Sequence, residues 1–313
     1  MPRWLRWTGR VLAGLVLLIL LAVAAVYAIS SRHITRTYDF PDSPVRAATD
    51  SASLARGRHL VEAVGKCGEC HAPDLGGRTL VDAPAMGRLS ATNLTTGRGG
   101  LGDYSDADFE RALRHGVGRG GRPLLFMPSE AFALLSDADL AAMIGYLRTV
   151  PPVDREMPVA RVGPVARALY LGGNFPLLPV TLIDHTASHD APPAGVTREY
   201  GEYLATIGGC RACHGLQLAG DANPDAPDIT VGRLGGWTEQ DFFRALREGR
   251  RPDGSVIDPA KMPWVRSGQM TDEEIRAVWL YLRSVPTLAM SRPAVRVAPR
   301  ITTPPNMDTS GSS

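Results

Sequence analysis

Two short segments constrain this chain more than any other feature: Cys67-Gly68-Glu69-Cys70-His71 and its near copy Cys210-Arg211-Ala212-Cys213-His214. They anchor an internal repeat, and a repeat must be recognised before single motifs are interpreted. Cys67 and Cys210 stand 143 positions apart, and Gly57, Leu60 and Gly77 have counterparts at Gly201, Leu204 and Gly220 within one residue of that offset. The match then slides. Asn93 to Thr95 pairs with Asp228 to Thr230 at offset 135, Tyr104 to Gly116 with Trp237 to Gly249 at 133, and Leu135 to Pro151 with Met270 to Pro286 at 135. The second copy has therefore lost a loop. A unit of about 100 residues is too long for a solenoid repeat and suits a duplicated domain.

Local signals place helices and no strand of useful length. Leu54 to Gly65 reads as an entry helix, with Leu60, Val61 and Val64 on one face. Ser105 and Thr238 are expected N-caps of helices that end at Gly116 and Gly249. Ser136 and Thr271 are expected to open the last helix of each copy with a capping box, and Pro151 and Pro286 to stop it. Tyr146 and Tyr281 are expected to pack that last helix on the entry helix, where Gly57 and Gly201 allow close approach.

The amino terminus carries Arg3, Arg6 and Arg10, then an uncharged apolar run of 19 residues from Val11 to Ile29. At about 1.5 Å per residue a helix there reaches roughly 28 Å, close to the thickness of a bilayer's hydrocarbon core. The basic flank, with Trp4 and Trp7 as interfacial anchors, predicts that the terminus stays inside and the rest is exported. Ala22-Val23-Ala24 would suit signal cleavage, but the apolar run continues past it, so an uncleaved anchor is expected. The organisation read from the chain is a stub and anchor at 1–30, a linker at 31–53, repeat domains at 54–152 and 197–287, a proline-rich linker at 153–196 draped over them, and a disordered tail at 288–313. The fold class is all-α: a transmembrane helix followed by two tandem domains.

All four cysteines of the chain lie in the two motifs, so none remains for a structural disulfide. On a helical turn, positions i and i+3 lie on one face about 5–6 Å apart, and i+4 falls beside them. Two thiols so placed reach the two vinyl groups of one haem, and the following histidine ligates its iron; Cys-x-x-Cys-His is the attachment signal of c-type haem. Each copy is thus expected to bind one haem covalently, through Cys67, Cys70 and His71 and through Cys210, Cys213 and His214. A shared zinc site fits poorly with pairs so far apart, each carrying its own histidine. A thioredoxin-like pair would follow a strand in a βαβ unit, for which there is no signal.

The iron's sixth ligand follows from the repeat. Met127 and Met262 are equivalent at offset 135 and both precede proline, whereas Met86 corresponds to Ile229 and Met143 to Val278. Met127 and Met262 are the expected axial partners of His71 and His214. His59, His115, His185 and His189 have no counterparts and are expected to be surface or linker histidines. Asn93, Thr95, Asp228 and Thr230 either bond near a haem propionate or fix a loop.

With entry helix, motif, Met-Pro loop and final helix ending Tyr-Leu-Arg-Thr-Val-Pro or Tyr-Leu-Arg-Ser-Val-Pro, both repeats resemble class I c-type cytochromes. The added segments at Thr92 to Thr95, Phe109 to Gly116 and Pro128 to Phe132 look like the multi-haem cytochrome subunits of membrane-bound bacterial alcohol and sugar-acid dehydrogenases. Those subunits commonly carry three haems; this chain has two motifs. The resemblance implies haem edges exposed for electron exchange and haem assembly on the outer side of the bacterial inner membrane. The function expected is electron transfer from a dehydrogenase or quinol donor to an oxidase or cytochrome acceptor, with no catalytic residue. The alternative is a di-haem peroxidase. A net charge of +2 from 34 basic and 32 acidic residues gives no sign of a nucleic-acid binder.

Overall fold

The computed structural model describes residues 2–41, 44–220 and 225–287. The chain begins with α1 (Arg3–Thr35), the one helix among the described residues long and apolar enough to cross a membrane. Its side chains from Val11 to Ile29 stand almost wholly free of the rest of the protein, and Ser30 is its single buried residue.

The first half contains α2 (Ser51–His59), which continues as a π-helical turn at Leu60–Val64, then the one-turn α3 (Cys67–His71). An antiparallel hairpin follows, β1 (Arg78–Ala83) and β2 (Gly87–Ala91), and then α4 (Asp106–His115), α5 (Ser129–Phe132) and α6 (Asp137–Thr149). The connection carries β3 (Arg161–Val162), which pairs with β2, α7 (Pro164–Leu171) and a 3-10 turn at Pro179–Thr181. The second half comprises α8 (Arg198–Ile207), α9 (Cys210–His214), α10 (Val231–Leu234), α11 (Glu239–Glu248), α12 (Trp264–Ser267) and α13 (Asp272–Ser284). The expected tail at 288–313 lies outside the described residues.

Helix boundaries follow the side chains. Ser105 and Thr238 close reciprocal capping boxes with Asp108 and Asp241, and Gly116 and Gly249 end those helices in the left-handed region. Thr271 closes a box with Glu274. Ser136 caps the Asp139 amide, but the expected reciprocal bond is missing, because the Asp139 carboxylate is held by Arg56 and by the Tyr203 hydroxyl.

In each half the entry helix crosses the last helix at a glycine. A Cβ on Gly57 would meet the Ala142 carbonyl oxygen at 1.9 Å, and one on Gly201 the Ala277 oxygen at the same distance. Tyr146 supports the first crossing, donating to the Glu62 carboxylate at 2.8 Å.

The described chain is mostly helical, as expected, and this small three-stranded sheet is an addition that the sequence did not signal. It was hidden because β1 and β2 are short and only half-covered, so neither shows a clean alternation. The hairpin also accounts for the lost loop. His71 and the carbonyl it meets are 21 residues apart, whereas the equivalent pair in the second half is 13 apart, and the eight-residue difference equals the slide in repeat offset.

The connection is more than a drape. Leu177, Leu178 and Val180 form a second buried cluster with Leu89, Val117, Val162 and Ala166. His185 is in the connection as expected, but His115 is buried at the end of α4, stacked on Phe40 with ring centres 4.2 Å apart and hydrogen-bonded to His185 at 2.9 Å.

The two halves share one core, which runs from Leu60 and Leu147 to Leu204 and Leu282. A polar cluster spans them: Arg56 binds both Asp139 and Glu274, His59 lies 2.6 Å from Glu274, and Tyr203 donates to Asp139 at 2.7 Å. His59 is therefore an interface residue and not a free surface histidine. Burial pushes the Glu274 carboxyl up, but its bonds from His59, the Thr271 amide and Arg56 prevail and hold it below the ordinary glutamate range.

Gly57→Ala is expected to lower stability by roughly 3 kcal/mol through overpacking, read as a fall in the urea midpoint; an unchanged midpoint would show that the crossing is not tight. A carboxylate with a depressed folded pKa stabilises above its unfolded value of about 4.3, and that contribution is lost as pH falls through the lower, folded value. Glu274→Gln should therefore cost about 1–2 kcal/mol at neutral pH and shrink that difference at pH near 3.

Candidate functional site

Each motif helix is a single turn clipped at both ends by left-handed backbone. Lys66 (φ 51°) and Gly209 (φ 70°) precede the first cysteine, while Ala72 (φ 66°, ψ 158°) and Gly215 (φ 84°, ψ 159°) follow the histidine. The chain then turns back: Gly77 donates to the His71 carbonyl at 2.8 Å and Gly220 to the His214 carbonyl at 2.9 Å. This holds two thiols and an imidazole on one short, fixed turn. The second copy uses glycine at both left-handed positions; the first uses Lys66 and Ala72.

Both histidines are oriented alike. His71 Nδ1 lies 2.7 Å from the Thr92 carbonyl and His214 Nδ1 2.7 Å from the Pro227 carbonyl. A carbonyl oxygen only accepts, so Nδ1 carries the proton and the neutral ring presents the Nε2 lone pair. Burial pushes both imidazoles below their ordinary pKa, with the carbonyl bonds offsetting part of that, so both are neutral at neutral pH.

Cys67, Cys70 and Cys210 lack the character of redox-active or metal-bound thiolates. Burial, with Cys70 close by, pushes Cys67 up to about 12, and burial also raises Cys70 and Cys210. Reactive thiols are shifted the other way. Among the described residues no group of three or more His, Cys, Asp and Glu side chains converges as a metal site.

Met127 and Met262 occupy identical local structures. Pro128 (φ −76°, ψ 57°) and Pro263 (φ −77°, ψ 55°) each sit at the centre of a three-residue turn, closed by Ser129 N to Met127 O and by Trp264 N to Met262 O, both 2.7 Å. Both methionines are half-buried against the same core as Cys67 and Cys210. Met86 packs instead in the second cluster with the connection, and Met143 is fully buried in α6. Asn93 and Thr95 fix a loop: the Asn93 amide donates to the Val153 carbonyl at 2.6 Å, and the Thr95 amide and hydroxyl both donate to Asn93 Oδ1. Asp228 plays the same part for the Thr230 amide at 2.6 Å.

Lys66 was not singled out by sequence. Its ammonium donates to the Val64 carbonyl at 2.8 Å and to the Gly208 carbonyl of the other half at 2.7 Å. Its bond to the Gly208 carbonyl ties the turn before Cys67 to the turn before Cys210, and burial lowers its pKa, with Cys210, Cys67 and Cys213 acting the other way. Its left-handed backbone is the signal that could have marked it, since the aligned position is Gly209.

The profile of the family described as cytochrome c oxidase, cbb3-type, subunit III matches residues 52–147 and 199–282, more than half of the chain and one stretch in each half. The chain belongs to that family. Among its relatives, the fructose dehydrogenase cytochrome subunit of Gluconobacter japonicus is 31% identical over 80% of this chain and 56% of its own length. The gluconate 2-dehydrogenase cytochrome c subunit of Pantoea cypripedii is 29% identical over 75% and 60%, and a diheme cytochrome c-type protein of Cereibacter sphaeroides is 29% identical over 88% and 98%. The chain thus spans little more than half the length of the two dehydrogenase subunits.

A c-type cytochrome of this family is an electron carrier, and the residues present fit its cofactor. The imidazoles have a fixed tautomer that leaves the lone pair on Nε2, the two thiols of each motif share one turn with the imidazole, and a thioether lies against the same core.

Ala72 occupies backbone that is essentially glycine-only. Ala72→Gly should stabilise the protein by about 1 kcal/mol and Gly215→Ala should destabilise it by about 1–3 kcal/mol. Denaturant midpoints of the two variants read both; a stabilising Gly215→Ala would contradict the assigned backbone.

Proposed function

We propose that this chain is a membrane-anchored cytochrome c holding two haems, one in each half, and that it relays electrons from a dehydrogenase or quinol donor to an oxidase or cytochrome acceptor. The observation that carries the reading is the duplicated constellation: clipped motif turn, carbonyl-locked imidazole and Met-Pro turn, each built twice on equivalent residues. Cys67 and Cys70 hold one haem as thioethers, and Cys210 and Cys213 the other. His71 with Met127 and His214 with Met262 would hold the two irons. When bound, each haem supplies a one-electron couple whose potential a methionine thioether raises.

The chain's own contribution is to hold these groups still. The Thr92 and Pro227 carbonyls fix the imidazole planes, and the proline-centred turns fix where the thioethers point. A histidine and a methionine would both be committed to each iron, which favours a carrier over the peroxidase reading, and both halves keep the same Met-Pro element. Arg3, Arg6 and Arg10, in the first turns of α1 ahead of its apolar run, favour an arrangement with the amino terminus in the cytoplasm and both halves in the periplasm. The likeness to cytochrome subunits of fructose dehydrogenase and gluconate 2-dehydrogenase supports a dehydrogenase as donor. The repeat domains are taken as 54–152 and 197–287.

Pyridine haemochrome assay of the purified chain should give two haems, falling to one in Cys67→Ala/Cys70→Ala and in Cys210→Ala/Cys213→Ala. The ferric protein should show a methionine-to-iron charge-transfer band that loses about half its intensity in Met127→Leu and in Met262→Leu, since each supplies one of two sites. A wild-type protein without that band would overturn the ligation. Rapid turnover of hydrogen peroxide with a reduced donor would favour the peroxidase.

A further inference from the structure

The membrane helix is not a free tether, because its exit end is bolted to α7. Arg167 donates to the Ser30 hydroxyl at 2.7 Å and the Ser31 hydroxyl at 3.0 Å, and its guanidinium lies over the Tyr27 ring at 4.5 Å. One turn on, the Tyr170 hydroxyl meets His33 Nδ1 at 3.0 Å. Position 167 thus sits by Ser30 and position 170 by His33, so α7 rises alongside the last turns of α1 with its amino end nearest the apolar run that closes at Ile29.

The outward face of that amino end is apolar and open, with Arg167 turned to α1 and exposed Arg161 just before it in β3. Val165, Ala168 and Leu169 are exposed at helical spacing, while Ala166 faces the buried cluster and Arg167 faces α1. Beside it lies the tip of the β1–β2 hairpin, Ala83-Pro84-Ala85-Met86, itself without charge: the Val165 amide donates to the Ala85 carbonyl at 3.0 Å and the Gly163 amide to the Met86 carbonyl at 2.9 Å. Pro84 and Ala85 are exposed. Asp82 and Arg88, which flank the tip, pair with each other at 3.0 Å. Among the described residues the second half shows no such hairpin, and it is the first half to which α1 is joined.

We propose that the hairpin tip and the amino end of α7 form a foot that rests in the interfacial layer of the same bilayer that α1 crosses. Its occupant is lipid, the continuation of the surface that α1 itself presents from Val11 to Ile29. An exposed apolar patch set within a turn of a spanning segment's end falls within the headgroup region, about 5–7 Å deep on each side. Held at two points, α1 and the foot, the first half has a fixed tilt on the membrane. The second half, with neither, is carried outward.

This inference rests on α1 spanning the membrane and on the cysteines being consumed by haem. Single cysteines are introduced into the full-length, haem-loaded chain at Ala85 and Val165, with Leu20→Cys as a mid-span control and Val256→Cys as an exposed apolar control in the second half. Each is reacted with a methanethiosulfonate spin label and reconstituted in phosphatidylglycerol and phosphatidylcholine vesicles. Accessibility to oxygen relative to a water-soluble nickel chelate is expected to be several-fold higher at 85 and 165 than at 256. Water-like values at 85 and 165 with lipid-like values at 20 overturn the foot alone, as does shielding from both reagents, which would mean a protein partner covers the patch. Water-like values at 20 overturn the spanning reading instead. Label uptake by the chain without an added cysteine overturns the thioether assignment.

Discussion

The crossing of an entry helix over a last helix at a glycine sets the frame on which everything else rests. Because no side chain separates Gly57 from the Ala142 carbonyl, or Gly201 from that of Ala277, α2 lies against α6 and α8 against α13 at backbone contact. The motif turns leave the ends of α2 and α8 after only a few residues, so their positions are inherited from those crossings. On the far side the last helix is capped at its start by Ser136 or Thr271, and that cap follows closely on α5 or α12 and the Met-Pro turn. Histidine and methionine are therefore fixed from opposite ends of one rigid pair.

Left-handed backbone is what separates the motif turn from its neighbours. A helix continuing from α2 through Cys67 would keep the three side chains on its surface among those of the preceding turn. The reversal at Lys66 or Gly209 breaks the axis, and the second reversal at Ala72 or Gly215 sends the chain back toward the histidine's own carbonyl. The thiols and the imidazole then project from an isolated turn whose orientation is independent of the entry helix. The strain at Ala72 is tolerated because the following bonds at Leu75 and Gly77 over-determine the loop.

Much of this was legible in sequence, and the reasons for the rest are physical. Capping residues, proline stops and the tight glycines act locally, so Ser105, Thr238, Gly57 and Gly201 were read correctly. The repeat offsets separated Met127 from Met86, and the structure puts them in different cores. The hairpin escaped because its strands are short and half-exposed. The box expected at Ser136 does not form because Asp139 is taken by a long-range partner, Arg56, and His59 reads from sequence as a surface or linker residue because its partner Glu274 lies 215 residues away. Matching copies by identity finds what each half needs by itself; it passes over what the halves need from each other.

What they need is complementary, and it is arranged about a pseudo-two-fold axis. His59 and Tyr203 occupy equivalent positions in the entry helices, as Glu274 and Asp139 do in the last helices. His59 meets Glu274 and Tyr203 meets Asp139, so each entry helix reaches the other half's last helix. Arg56 and Tyr200 are also equivalent, and they bond to each other at 3.2 Å. This is the pattern of an isologous dimer, in which residue i contacts j and j contacts i, built into one chain. Fusion frees the two sides to differ: a lysine stands on one side and a glycine on the other, so Lys66 crosses to the Gly208 carbonyl and nothing crosses back. Identical subunits would place two ammonium groups at that point, where like charges repel. A single half-buried lysine ammonium at this seam is what duplication within one chain permits, and it lies where the turn before Cys67 meets the turn before Cys210.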